Sequence, residues 1–339
     1  MPSIVQSWTC WAPVKGMGIQ KADILITGAT GFIGKTLVQR LLARPEYAAR
    51  IAVRRITKDL PAAAQPVLIE EIGPGTDWRE AVEACRAIVH CAARVHVMEE
   101  RAADPLQEFR RINVQGTLNL ARQAAEAGIR RFVFLSSVKV NGEQTPLNRP
   151  FTEDDVPAPE DPYGISKREA EDGLRQLALQ TGMEVVIIRP PLVYGPGVKG
   201  NFRSLIRWAA IPLPLAAVAN KRSFVGLDNL VDLIMTCIDH PAAANQTFLA
   251  GDGEDLSTAE LVRRLALALG RPSRLFPLPL GILQGIASLI GRQAMMQRLC
   301  GSLQVDIGKA KGLLGWRPPC TVDEGLRRMT AGDGMQRRF

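Results

Sequence analysis

The stretch Lys21–Arg40, KADILITGATGFIGKTLVQR, decides the fold. Ile24–Thr27 is a short run of apolar and β-branched residues, the composition of a buried parallel strand. Gly28, Gly31 and Gly34 follow at once with the spacing G-x-x-G-x-x-G. Lys35–Ala43 then reads as a helix with Leu37, Val38, Leu41 and Leu42 on one face. A strand, a glycine turn and a helix in succession are the setting of a dinucleotide fingerprint. The glycines let the chain turn tightly and let a pyrophosphate approach backbone N–H groups at the helix N-terminus.

Downstream, short apolar strands are expected at Arg50–Val53, Pro66–Ile69, Ala87–Cys91, Arg131–Ser136 and Glu184–Arg189. Helical spacing predicts helices over Asp77–Ala84, Asp104–Gly128 and Pro162–Thr181. Strands alternating with helices from residue 22 to 190 imply an α/β fold with a doubly wound parallel sheet. After Pro190 the elements shorten and prolines multiply, which marks a smaller second region over 191–330, followed by a tail over 331–339. Residues 1–21 read as an extension outside the fold. Met1–Gln20 lacks the apolar core and basic start of a signal peptide, and two readings stay open: a disordered arm, or an upstream start with Met17 as the true beginning.

Composition narrows the class. The chain has 339 residues, 46% hydrophobic and 22% charged, which suits a globular protein with a large core. Its six cysteines are scattered without a C-x-x-C pair, which argues against zinc and disulfide frameworks and suits a reducing cytoplasm. His90 and His96 read as strand and loop residues rather than metal ligands. The net charge of +8 comes with no helix-turn-helix, zinc or stacking pattern, so nucleic acid is not expected as a partner. A phosphorylated small molecule or a nearby anionic membrane surface accounts for the charge equally well. The apolar stretch Leu275–Gly291 contains Pro277 and Pro279 and is short for a membrane span, so Leu280–Ile290 reads as a buried or groove-lining helix, with membrane-surface contact as the lesser alternative.

Chemistry concentrates in Asp161–Lys167, DPYGISK, where Tyr163 and Lys167 stand at i and i+4 and share a helix face. An ammonium beside a phenol favours the phenolate, so a lowered Tyr163 pKa is expected. Ser136 and Ser137 fall at the C-terminal edge of the fifth expected strand, where open α/β sheets bind ligands. A serine hydroxyl there can hold a carbonyl oxygen that the tyrosine protonates.

With these residues in place the chain resembles the extended short-chain dehydrogenase/reductases of the nucleotide-sugar epimerase/dehydratase group. The matching pieces are TGATGFIG, HCAA (90–93), INVQGT (112–117), FLSSVKVNG (134–142), YGISK (163–167), RPPLVYGPG (189–197), RSFVGLDNLVD (222–232) and LLGWRP (313–318). The resemblance implies a Rossmann-type doubly wound sheet over 22–190 and a C-terminal α/β substrate-binding region, with 222–240 returning to the Rossmann part. It implies that Gly28, Thr30, Gly31, Phe32, Ile33 and Gly34 hold the dinucleotide pyrophosphate. Glu71 and Ile72 match the adenine contacts, although an aspartate is more usual than Glu71. Ala92 and Ala93 match the ribose contacts, Pro190 also falls among the cofactor positions, and Asn113 matches an asparagine that braces the sheet. Ser137, Tyr163 and Lys167 match the catalytic residues, and Lys167 also matches a cofactor-ribose ligand. Asn201, Arg222 and, more loosely, Arg298 match substrate diphosphate contacts. The family's habit implies a homodimer in the cytoplasm, built through Asp104–Gly128 and Pro162–Thr181.

Two departures from the family pattern direct the functional reading. Where NAD-using members end the second strand with an aspartate for the adenine ribose, this chain has Arg54 and then Arg55. A guanidinium pairs with a 2′-phosphate, so NADP(H) is favoured over NAD. Dehydratases place Asp-Glu after the catalytic Ser/Thr, and here those positions are Val138 and Lys139, which speaks against dehydration. Asn141 also replaces a frequent tyrosine of the family. The leading expectation is therefore an NADPH-dependent 4-ketoreductase of a nucleotide sugar. By resemblance, its reaction would convert UDP-4-keto-6-deoxy-N-acetylglucosamine to UDP-N-acetylquinovosamine for surface polysaccharide such as lipopolysaccharide O-antigen. The alternative is a UDP-glucose or UDP-N-acetylglucosamine 4-epimerase with tightly bound NAD. A non-catalytic dinucleotide-binding protein is a third reading, opposed by the intact Ser137–Tyr163–Lys167 set.

Overall fold

The computed structural model describes residues 22–95, 104–198, 202, 213–215, 220–272, 275–277 and 300–332. Strand β1 (Ala22–Thr27) is central, pairing in parallel with β2 (Tyr47–Val53) on one side and β4 (Cys85–His90) on the other. Strand β3 (Gln65–Leu68) lies beyond β2, while β5 (Arg131–Leu135) and β6 (Glu184–Arg189) lie beyond β4. Every pairing in this sheet is parallel. The strand order reverses between β1 and β4, so a crevice opens at their C-terminal ends, the place where such sheets receive ligands.

The alternation of β1 explains its burial on both faces. Ile24 and Ile26 join the core beneath helix α1 (Phe32–Leu42). Leu25 joins the opposite core with Leu120 of α4 (Thr117–Glu126) and Leu174 of α5 (Pro162–Thr181). Helices α2 (Arg79–Val82) and α3 (Pro105–Phe109) are short. Helix α5 runs over the expected span because its stops are local. Asp161 caps it by accepting the Gly164 N–H at 2.7 Å, Pro162 opens it, and Gly182 ends it at φ 76°.

Beyond residue 190 the chain forms β7 (Leu192–Tyr194), β8 (Leu213–Leu215) and β9 (Arg222–Gly226). Helix α6 (Leu227–Asp239) follows and packs Leu230, Val231 and Ile234 into the core that holds Ile24 and Ile26. Strand β10 (Thr247–Leu249) then returns to the main sheet as its seventh strand, beside β6. Strands β7, β9 and β11 (Asp255–Leu256) make a small sheet, and β8 pairs with β12 (Leu275–Pro277). Helices α7 (Thr258–Ala268), α8 (Gly308–Leu314) and α9 (Val322–Gly332) complete this region. A separate apolar cluster of Tyr194, Phe202, Phe224, Leu261 and Leu326 holds the small sheet to α7 and α9.

Two expectations change. The helix expected over Asp104–Gly128 is three pieces, with a π-helical turn at Arg110–Gly116 between α3 and α4. Its wider turn carries the Asn113 side chain inward, where it bonds to Arg94 and Ser166. Strand β10 was not foreseen, because three residues carry too little periodicity to read. No helix among the described residues is long and apolar enough to cross a membrane. Leu280–Ile290, His96 and Met1–Gln20 lie outside the described residues.

Candidate active site

The glycine turn is tight enough to exclude side chains. Gly28 has φ +69°, and a Cβ there would lie 2.8 Å from the Ala92 backbone N. A Cβ on Gly34 would lie 2.2 Å from the Gly28 carbonyl oxygen, and one on Gly31 would lie 3.1 Å from it. The turn thus folds onto itself and onto the chain leaving β4, which brings Cys91 and Ala92 beside it. Gly31 opens α1 with no side-chain cap, leaving its first N–H groups to a ligand. These features fit a dinucleotide pyrophosphate. Phe32 and Ile33 start α1 and pack against the core, while Thr30 is exposed.

Arg54 and Arg55 stand exposed directly after β2. Glu71 is held by Arg111 at 3.1 Å, and Ile72 packs against Gly116, where a Cβ would lie 2.9 Å from its Cγ2. His90 sits under the site with both ring nitrogens used, at 2.7 Å from Thr27 Oγ1 and 2.9 Å from Thr117 Oγ1. Burial pulls its pKa down to about 3, so the ring is neutral. Among the described residues no cluster of three metal-ligating side chains occurs.

Ser137 is half-buried after the C-terminal end of β5, its hydroxyl accepting the Lys139 N–H at 3.3 Å. The next residues, Val138–Val140, form a short 3₁₀ turn whose first N–H reaches Pro190 O at 3.0 Å. Tyr163 lies in the first turn of α5, its ring edge-on to Phe109 at 6.1 Å between centroids. Ser166 donates to the Tyr163 carbonyl at 2.8 Å and accepts from Asn113, which binds the backbone of Arg94 in both directions. Asn113 therefore ties α5 to the chain after β4.

Lys167 is buried, with Nζ 2.8 Å from the Leu135 carbonyl and 4.4 Å from the centre of the Phe134 ring. Burial pulls its pKa down to about 8, against the opposing pull of Cys91 and Glu171. The lowered Tyr163 pKa expected from this lysine is not found. Burial, and after it the Asp161 carboxylate, push the Tyr163 hydroxyl up. Lys167 directs its ammonium to Leu135 and stands 6.0 Å from the Tyr163 ring centre.

Behind the trio lies a buried network that sequence reasoning missed. Glu171 accepts from Ser136 Oγ at 2.5 Å and from Arg189 at 2.9 and 2.6 Å. Arg189 also donates to Asn141 Oδ1 at 3.0 Å, and Asn141 donates to Thr152 O at 2.8 Å. The tyrosine-to-asparagine departure at 141 thus serves a structural bond. A readable signal existed: Glu171 continues the i, i+4 stripe of Tyr163 and Lys167, and Arg189 follows directly on the apolar run Val185–Ile188.

Arg222 begins β9 and donates to the Gly301 carbonyl at 3.0 Å, with burial lowering its pKa. Asn201 and Arg298 lie outside the described residues.

Comparison with known proteins shows the family and the fold of the chain. Residues 24–251 match the model of the NAD dependent epimerase/dehydratase family. A UDP-glucose 4-epimerase of Vibrio cholerae is 50% identical over 312 residues, covering 90% of this chain and 94% of that protein. A GDP-6-deoxy-D-mannose reductase of Pseudomonas aeruginosa is 27% identical over 315 residues, covering 90% and 94%. The crystal structure of UDP-glucuronic acid 4-epimerase from Bacillus cereus in complex with NAD superposes with a TM-score of 0.74 at 21% identity, covering 93% of this chain and 99% of that one.

Proposed function

The chain belongs to the NAD dependent epimerase/dehydratase family of NAD(P)-dependent enzymes, and we propose that it is a 4-epimerase that interconverts UDP-glucose with its C4 epimer. The observation that carries this reading is the 50% identity to a UDP-glucose 4-epimerase across nearly the whole of both chains. It moves the assignment away from the 4-ketoreductase expected above and toward the alternative. NAD is accordingly the proposed cofactor, with residues 22–190 as the dinucleotide part and 191–330 as the substrate part.

Gly28, Gly31, Gly34 and the first turn of α1 would hold the pyrophosphate, and Ala92 and Ala93 would flank the cofactor ribose. When bound, the dinucleotide supplies the hydride acceptor and donor for C4 of the sugar. Tyr163 takes the C4 hydroxyl proton as the alcohol becomes a ketone, and returns it when the alcohol re-forms. Ser137 holds the C4 oxygen by hydrogen bonding, and Lys167, whose ammonium is fixed 2.8 Å from the Leu135 carbonyl, is a proposed ligand of the cofactor ribose. Arg222 is a proposed diphosphate ligand.

A second reading, reduction of a 4-keto sugar by NADPH, is favoured by Arg54, whose exposed guanidinium follows β2. NMR of UDP-galactose incubated with the protein alone separates the two. Conversion to UDP-glucose without added dinucleotide supports the epimerase. Absence of conversion, with rapid NADPH oxidation on a UDP-4-keto sugar, assigns the reductase.

A further inference from the structure

The turn that carries Ser137 is fastened to the helix that carries Tyr163 through one lysine. Lys139 Nζ pairs with Asp161 Oδ2 and lies 2.8 Å from Glu143 Oε1. Side-chain exposures of 28% for Lys139 and 23% for each carboxylate keep the cluster largely out of solvent. Burial works against the Lys139 charge, yet its bonds to Asp161 and Glu143 prevail and hold its pKa above the ordinary lysine value.

The backbones meet at the same place. A Cβ on Gly164 would lie 3.0 Å from the Lys139 carbonyl oxygen, so the residue after Tyr163 is a glycine for lack of room. Ala158 N–H donates to Val140 O at 3.0 Å. Asp161 uses its other oxygen to cap α5 on Gly164 N–H at 2.7 Å. Lys139 therefore reaches Ser137 through its own N–H and the start of α5 through its ammonium.

We propose that Lys139 is a positioning residue whose ammonium clasps the Ser137 turn to the N-terminus of α5 and offsets the Asp161 carboxylate beside Tyr163. The inference rests on the reading of Ser137 and Tyr163 as the groups that act at C4. A carboxylate close to a phenol opposes the phenolate, and a paired carboxylate does so less. Among the described residues, Lys167, Arg94 and Arg110 lie on the elements around Tyr163, and each is engaged with another group. Lys167 follows on the same helix with its ammonium on Leu135 O. Arg94 stands beyond the Phe109 ring, 5.6 Å from its centre, and Arg110 on the π-helical turn is paired with Glu169 of α5 at 2.6 Å. Val138 and Lys139 occupy the positions where dehydratases of the resembled group carry Asp-Glu, so the same turn here serves placement and charge balance.

The test is an NMR titration of tyrosine 13Cζ in the full-length protein as purified, with kcat and KM measured against pH alongside. The chain has only Tyr47, Tyr163 and Tyr194, so Tyr163→Phe assigns the signal. Lys139→Met is expected to raise the titration midpoint of Tyr163 by about one pH unit and to lower kcat about tenfold at neutral pH with KM little changed. Lys139→Arg is expected to restore both. Asp161→Asn keeps the helix cap and is expected to lower the midpoint below that of the wild type. Lost thermal stability or activity in Lys139→Met with Tyr163 titrating as in the wild type would make the lysine merely structural and overturn the proposal. Coincident midpoints in Asp161→Asn and the wild type overturn it too, even if Lys139→Met does not fold. Because the titration needs no turnover, a wild type inactive on UDP-glucose refutes the epimerase reading alone.

Discussion

Lys167 donates from Nζ to the Leu135 carbonyl at 2.8 Å, which fastens the first half of α5 to the last residue of β5, two residues before Ser137. One buried bond thus sets where two of the proposed catalytic groups stand. Lys167→Met removes the donor and leaves a buried carbonyl unpaired, a loss of about 1–3 kcal/mol. Thermal denaturation is expected to show it, together with a fall in kcat. In the wild type the ammonium deprotonates as pH rises through about 8, so kcat is expected to decline on the alkaline side around that value.

Tyr163→Phe deletes only the hydroxyl and keeps the edge-on contact with Phe109. It is expected to lower kcat by roughly 10²–10⁴-fold with the melting temperature unchanged. Steady-state kinetics and calorimetry on the same preparation check both halves.

The glycine turn predicts an order of severity. Gly34→Ala places a Cβ 2.2 Å from the Gly28 carbonyl, whereas Gly31→Ala places one at 3.1 Å. Gly34→Ala is expected to fold poorly or to lose dinucleotide, and Gly31→Ala to be milder on both counts. Thermal denaturation and chromatography of the nucleotide released on denaturation measure the difference.

His90 predicts an acid limb of stability. Its folded pKa of about 3 lies below the ordinary value of 6.5. As pH falls from 6.5 toward 3, the unfolded chain takes up a proton that the folded chain refuses, so stability falls over that window. His90→Asn is expected to have lower stability at neutral pH and a shallower decline on acidification, as measured by denaturant unfolding at several pH values.

The parts of this molecule that local chemistry dictates were legible in the sequence. Strand β1, the glycine turn and α1 follow from the stretch that contains Gly28, Gly31 and Gly34, and α5 follows from Asp161, Pro162 and Gly182. Features that depend on distant partners were not. Asn113 turns the chain into a π-helical segment because its partners, Arg94 and Ser166, come from other elements. Glu171 and Arg189 reach burial by pairing with each other and with Asn141 and Ser136, and no local pattern states that pairing. The Tyr163 expectation failed for a related reason. Helical spacing placed Lys167 beside it correctly, but spacing says nothing of burial or of the carbonyl that takes the ammonium.

In the proposed reaction a sugar C4 is oxidised and reduced within one active site. The most direct test uses UDP-glucose deuterated at C4, incubated with the protein without added dinucleotide, and mass spectrometry of the sugar formed. UDP-galactose that retains the deuterium is expected, because the hydride leaves and returns at the same carbon. No conversion, or UDP-galactose that has lost the label, would contradict the proposed reaction.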